Sequence, residues 1–145
     1  MITVTPEVFR LAQVFTISRG SRTEARVLTV RVTRGGVTGW GECVPCARYG
    51  ETPESVTAQI ESLPQDITRD ALQGALPAGA ARNAVDCALW DLRAKQTGRR
   101  VWQLAGLAEP GPETTAYTLS LDTPETMRAA AAKHAHRPIL KIKLG

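Results

Sequence analysis

Apolar residues recur at three- and four-residue intervals across positions 80–97, where Ala81, Ala84, Val85, Ala88, Leu89 and Leu92 fall on one helical face. Gly98 follows as a stop. The small alanines predict that another element packs close to this helix. Asp86 and Asp91 lie five residues apart, do not share a face, and read as structural. Weaker helical patterns occupy 52–63 and 68–75. Thr52, Pro53 and Glu54 supply an N-cap, a first-turn proline and a first-turn acid, and Pro64 ends that helix. Gly74, Pro77 and Gly79 mark the break before the long helix. Residues 99–104 add a short turn closed by Gly106.

The two-residue period of strands appears at 3–11, interrupted by Pro6, and again at 27–33 and 37–42. Gly35-Gly36 fits a hairpin turn between the last two. Gly39 and Gly41 flank Trp40, which predicts a close backbone approach or a bulge. Residues 15–26 are polar, with Arg19, Arg22 and Arg26 around Gly20, and read as a hairpin loop. Such a loop could present a guanidinium to an anionic group, because arginine grips carboxylates through a bidentate fork. A loop at 43–51 carries Arg48, Tyr49 and Glu51.

Residues 109–112 read as a linker and boundary. A strand follows at 114–121, with Tyr117, Leu119 and Leu121 on one face and Thr118 and Ser120 on the other. Thr123, Pro124 and Glu125 repeat the helix-start signal, and Pro138 stops the helix they open. A last strand covers 139–145. Strand, helix and strand in this order form a βαβ unit with parallel, adjacent strands. One such unit cannot cover both faces of its sheet. The pattern is an α+β domain, then a domain cut off after its first repeat. Leu140, Ile142 and Leu144 should therefore be under-packed.

Composition narrows the function classes. The 145 residues are 43% hydrophobic and 22% charged, ordinary for a globular protein. Net charge is +4, but the basic residues are scattered and not interleaved with aromatics, which argues against nucleic acid. No apolar run reaches a membrane span and no signal peptide opens the chain, so the cytoplasm is expected. Cys43 and Cys46 have the C-x-x-C spacing of a redox pair or half a zinc site. The only histidines, His134 and His136, are far along the chain, and the favoured reading is two unrelated loop thiols.

The last strand carries the sharpest chemistry. Lys141 and Lys143 point to one face of an otherwise apolar strand expected to be buried. Each ammonium disfavours protonation of the other, and burial disfavours both, which is how a lysine becomes a general base near neutral pH. On an exposed edge strand the same residues would be two solvated lysines.

Five stretches together carry a family resemblance: FTISRGSRTEAR at 15–26, GWGECVP at 39–45, ARYGE at 47–51, AGAARNAVDCALWDL at 78–92 and LKIKL at 140–144. In them the chain resembles the enolase superfamily in its muconate-lactonising branch, and most closely its dipeptide epimerases of the L-Ala-D/L-Glu type. The resemblance implies an α+β capping domain (antiparallel hairpin sheet plus helices) over residues 1–112. Residues 113–145 would be the first βαβ unit of a truncated (β/α) barrel. It implies a two-base proton transfer at an α-carbon through an enediolate held by Mg²⁺. Lys143 would be the base on one face of the substrate and Lys141 its neighbour. Thr118 would lie beside the substrate, and Arg22, or failing that Arg19, would bind the acidic side chain of a dipeptide such as Ala-Glu. The metal ligands and the second base are expected beyond residue 145, so the chain alone is expected to be inactive. The rival readings are a muconate cycloisomerase or o-succinylbenzoate synthase type of the same superfamily, which the arginine-rich loop argues against, and a non-catalytic α+β interaction module. Neither nucleic acid nor membrane is expected as a partner, and homo-oligomerisation is left open.

Overall fold

In the computed structural model, which describes residues 1–145, three strands come first: β1 (Ile2–Ile17), β2 (Gly20–Arg34) and β3 (Val37–Cys43). A 3-10 turn at Ala47–Tyr49 leads to helices α1 (Pro53–Glu61), α2 (Arg69–Ala75), α3 (Ala80–Thr97) and the single turn α4 (Val101–Leu104). Strand β4 (Tyr117–Leu119), helix α5 (Pro124–Lys133) and strand β5 (Leu140–Ile142) complete the chain. One sheet has the order β1-β2-β3, and β4 pairs with β5 in another. The residues group into two units, Met1–Val8 with Arg26–Glu109, and Phe9–Ala25 with Pro110–Gly145. No helix is long and apolar enough to cross a membrane.

The first unit is built on the antiparallel β2–β3 pair, whose register sets Val30 against Gly41 and Val32 against Gly39. Gly35 and Gly36 turn the chain between them with φ of 57° and 75°, the positive angles a two-residue hairpin needs. Helix α3 lies on the glycine face of β3, so the predicted close approach is found. A Cβ at Gly39 would collide with the backbone oxygen of Ala88, and one at Gly41 with that of Ala84. Alanine on the helix and glycine on the strand are two halves of one contact. Around it Leu28, Val30, Val32, Ile60, Leu72 and Val85 are almost wholly buried. Each such aliphatic side chain contributes roughly 1.5–3 kcal/mol.

Polar groups fix the same packing. Asp91 Oδ2 accepts from the Trp40 N–H at 2.8 Å and from Lys95 Nζ at 2.6 Å, tying α3 to β3. Asp86 accepts from Arg69 Nε at 2.9 Å. Both aspartates are structural, as their spacing suggested. Gly79 offers no side chain at the start of α3, and Glu51 takes the cap's place: Oε1 accepts from the Ala80 N–H at 2.6 Å and Oε2 from the Cys46 N–H at 2.9 Å. A carboxylate there also meets the positive end of the helix dipole. Thr52 caps α1 in a reciprocal box with Ser55.

Two strand expectations change. β1 runs straight through Pro6, which an edge strand tolerates because its outward N–H has no ladder partner to lose. Residues 15–26 are no loose loop: β1 and β2 continue to a turn at Ser18-Arg19, with Gly20 at φ 132°. Thr16 Oγ1 and Ser21 Oγ meet at 2.9 Å across this arm. At its far end the strand pair is fixed by Met1 and Thr33, which exchange two backbone bonds of 2.8 Å.

In the second unit β4 and β5 are parallel, as the βαβ reading requires, pairing Tyr117 with Leu140, Thr118 with Lys141 and Leu119 with Ile142. Thr123 caps α5 by accepting from the Thr126 N–H. The last strand is shorter than expected and not buried: Ile142 is 55% and Leu144 76% exposed. Leu119 is the one side chain of this unit that is fully buried. The apolar side chains that pattern alone marked as under-packed are so, apart from half-buried Leu140.

The Gly41–Ala84 contact has a direct test. Gly41→Ala should cost about 3 kcal/mol or more, because backbone rather than a side chain must move aside. Chemical denaturation measures it, and an unchanged midpoint would contradict the packing described.

Candidate active site

Strand β4 has two unlike faces. On one, Tyr117 stacks against the His134 ring at the end of α5, with centroids 4.0 Å apart, and Leu119 is buried. Burial holds the His134 imidazole below its ordinary range, helped by the charges of Arg137, Lys133 and His136. Alternation puts Thr118 on the opposite face, away from the helix. Residues paired across a parallel ladder share a face, so Lys141 stands beside Thr118 and Lys143 lies one step further along, level with Ser120. The Lys143 N–H donates to the Leu119 oxygen at 3.1 Å, so the pairing continues to that lysine. Thr118, Lys141 and Lys143 thus gather on the helix-free face. Lys141 is exposed and Lys143 half-buried.

Ser120 is the residue that pattern reading passed over. Its Oγ donates to the Val14 oxygen at 3.2 Å and lies 3.4 Å from the Thr16 N–H, while the Leu121 N–H donates to the Thr16 oxygen at 3.0 Å. These bonds fasten the hairpin arm to β4. The same arm carries Arg19 at its turn and Arg22 on β2, both exposed. The arginines are therefore borne on an arm that is tied, close to its turn, to the end of the strand of Thr118. The only sequence signal for this was a serine on the polar face of a short strand.

Two solved structures have this arrangement of elements. An enolase family member from Agrobacterium tumefaciens, described as homologous to dipeptide epimerases and bound to sodium and L-Ala-L-Glu, superposes at a TM-score of 0.93 with 52% identity, over 99% of this chain and 45% of its own. A dipeptide epimerase from Cytophaga hutchinsonii, complexed with Mg and D-Ala-L-Val, superposes at 0.84 with 26% identity, over 99% and 43%. The profile of the mandelate racemase / muconate lactonizing enzyme N-terminal domain matches residues 1–106. The chain belongs to this family. Among its relatives, the L-Ala-D/L-Glu epimerase of Escherichia coli K12 is 45% identical over 99% of this chain, and an N-acetyl-D-glutamate racemase of Pseudoalteromonas is 44% identical over 73%. The chain spans about half the length of the curated relatives it matches, 46% in the first case.

The family's capping fold accounts for the antiparallel sheet and its helices, and the parallel β4–β5 pair is the start of the barrel that follows it. Several relatives hold magnesium. Within residues 1–145 no three His, Cys, Asp or Glu side chains are grouped so as to hold a metal ion. The residues present thus do not make a metal site.

The C-x-x-C pair separates into two environments. Cys43 ends β3 and is buried, whereas Cys46 is half-buried ahead of the 3-10 turn; both are free thiols. Burial, then the nearby carboxylates Glu51 and Glu42, push the Cys43 thiol from 9.0 up to about 11. The folded state therefore favours the neutral thiol. The associated stability is complete below the unfolded value and is lost as pH rises through the folded one. Between about pH 9 and 11 the native protein should lose stability that a Cys43→Ala variant does not lose, as read from denaturation midpoints at each pH. Parallel pH profiles for the two proteins would contradict this. Exposed Cys87 should be the thiol that an alkylating reagent modifies first.

Proposed function

We propose that this chain is the N-terminal part of a dipeptide epimerase. Residues 1–112 form its capping domain and 113–145 open its barrel. The carrying observation is the shared face of Thr118, Lys141 and Lys143, on the side of β4 and β5 opposite α5. Lys143 is the base for one face of the substrate: it takes the α-proton from that face while the second base supplies one to the other, and in the reverse direction its ammonium delivers the proton to its own face. Lys141 is its neighbour on the same face, two residues earlier on the strand. Thr118 flanks the substrate. Inversion needs a second base on the other side of the α-carbon, and no residue of this chain is assigned to it.

The substrate reading is an acidic dipeptide such as Ala-Glu. Arg22, with Arg19 as the second candidate, forks onto the acidic side chain. Relatives named for glutamate-containing substrates, among them the Escherichia coli epimerase and the Pseudoalteromonas racemase, support that choice. Magnesium is the expected cofactor on the strength of relatives solved with it, with ligands outside residues 1–145. When bound it would stabilise negative charge on the substrate carboxylate.

One experiment with three arms tests the reading. These 145 residues replace the matching segment of the Escherichia coli relative, and α-proton exchange of Ala-Glu is followed in D₂O. The chimera should exchange and epimerise, and the 145-residue chain alone should not. Arg22→Ala in the chimera should raise KM for Ala-Glu by about tenfold or more and leave a neutral dipeptide almost unaffected. Exchange by the lone chain, a folded chimera inert toward acidic dipeptides, or equal losses on both substrates would contradict it.

A further inference from the structure

The first unit has a second concave site that the epimerase reading does not use. A cavity of about 630 Å³ opens beside α3, bordered by Arg34, Arg69, Arg93 and Arg99, with Asp70 the one acid on its wall. Its size suits a small molecule. It shares no residue with Thr118, Lys141, Lys143 or the hairpin arm.

Three of the four guanidiniums are held in place. Arg34 Nη2 donates to the Gln65 oxygen at 3.2 Å and the Ile67 oxygen at 2.7 Å. Arg69 lies 3.6 Å over the Trp90 ring and donates from Nε to Asp86 at 2.9 Å. Arg99 Nη2 donates to the Gln103 oxygen at 3.0 Å. Each of these contacts uses one nitrogen of a group with five N–H donors. The side chains are thus oriented with donors to spare, and Arg93 is exposed on the last turns of α3. Trp90 and the leucines of α3 give the cavity an apolar wall, beside which charges are screened less than in open water. With Arg69 paired to Asp86 and Asp70 on the wall, the cavity keeps an excess of positive charge. A multivalent oxyanion offsets that excess and satisfies several forks together.

We propose that this cavity binds a small multivalent oxyanion, a phosphoester or a polycarboxylate, in a site separate from the candidate active site. The test is a titration of the whole chain at low ionic strength with inorganic pyrophosphate and, separately, with citrate. Trp90 beneath Arg69 supplies the fluorescence signal, and the melting temperature gives a second readout. At least one of the two anions should bind saturably with a midpoint below about 1 mM and weaken as salt is added. Tighter pyrophosphate points to a phosphoester, and tighter citrate to a polycarboxylate. Replacing both Arg93→Gln and Arg99→Gln should weaken binding by about tenfold or more. Replacing both Arg48→Gln and Arg128→Gln, exposed arginines outside the cavity, removes the same charge and should leave binding unchanged. If neither anion saturates by about 10 mM, or if the two double variants weaken binding equally, the proposal is overturned.

Discussion

The first unit depends on how closely α3 can approach β3. Two glycines on the strand and two alanines on the helix bring backbone against backbone, with no room for a methyl group at Gly39 or Gly41. That distance fixes the rest. It lets Asp91 reach the Trp40 amide and lets Lys95 donate to the Thr38 oxygen at 3.0 Å, so polar bonds hold both flanks of the contact. It also leaves the interior small enough for medium-sized aliphatic side chains to fill, and no aromatic residue is buried there. Glu51 then anchors the start of the same helix from the loop after β3. The capping-domain fold is the outcome of one close contact supported at three points.

The second unit has a different balance. Leu119 is its one fully buried side chain, a small core for a strand, a helix and another strand. Its apolar residues at Ile142 and Leu144 face solvent, on a sheet of two short strands. The relatives are roughly twice as long as this chain. A lysine-bearing face looks away from the helix, and the arm with the arginines is fastened to the neighbouring strand through Ser120.

Much of this was legible in the residue pattern, and what was not has physical reasons. Helix α3 was readable to its ends because its period is regular and Gly98 stops it in the left-handed conformation, φ 64°. The Gly35-Gly36 turn and the close approach at Gly39 and Gly41 followed from what glycine alone permits. The arm at 15–26 was misread as a loop because neither of its faces is buried, so no apolar alternation marks it as strand. Glu51 as a cap and Ser120 as a fastener join residues distant in the chain, which no local pattern encodes. The grouping of Thr118 with the two lysines was half legible. Alternation gave the face within each strand and the βαβ order made the strands neighbours, but only the ladder register set Thr118 level with Lys141.

The central claim is that Lys143 works on one face of an α-carbon. Its most direct test is epimer-resolved α-proton exchange in D₂O by the chimera with the Escherichia coli relative carrying Lys143→Ala. A base that serves one face should be needed for the proton of one epimer only. Exchange should fall by about a thousandfold or more for one of the two Ala-Glu epimers and persist for the other. Unchanged exchange for both would contradict the account.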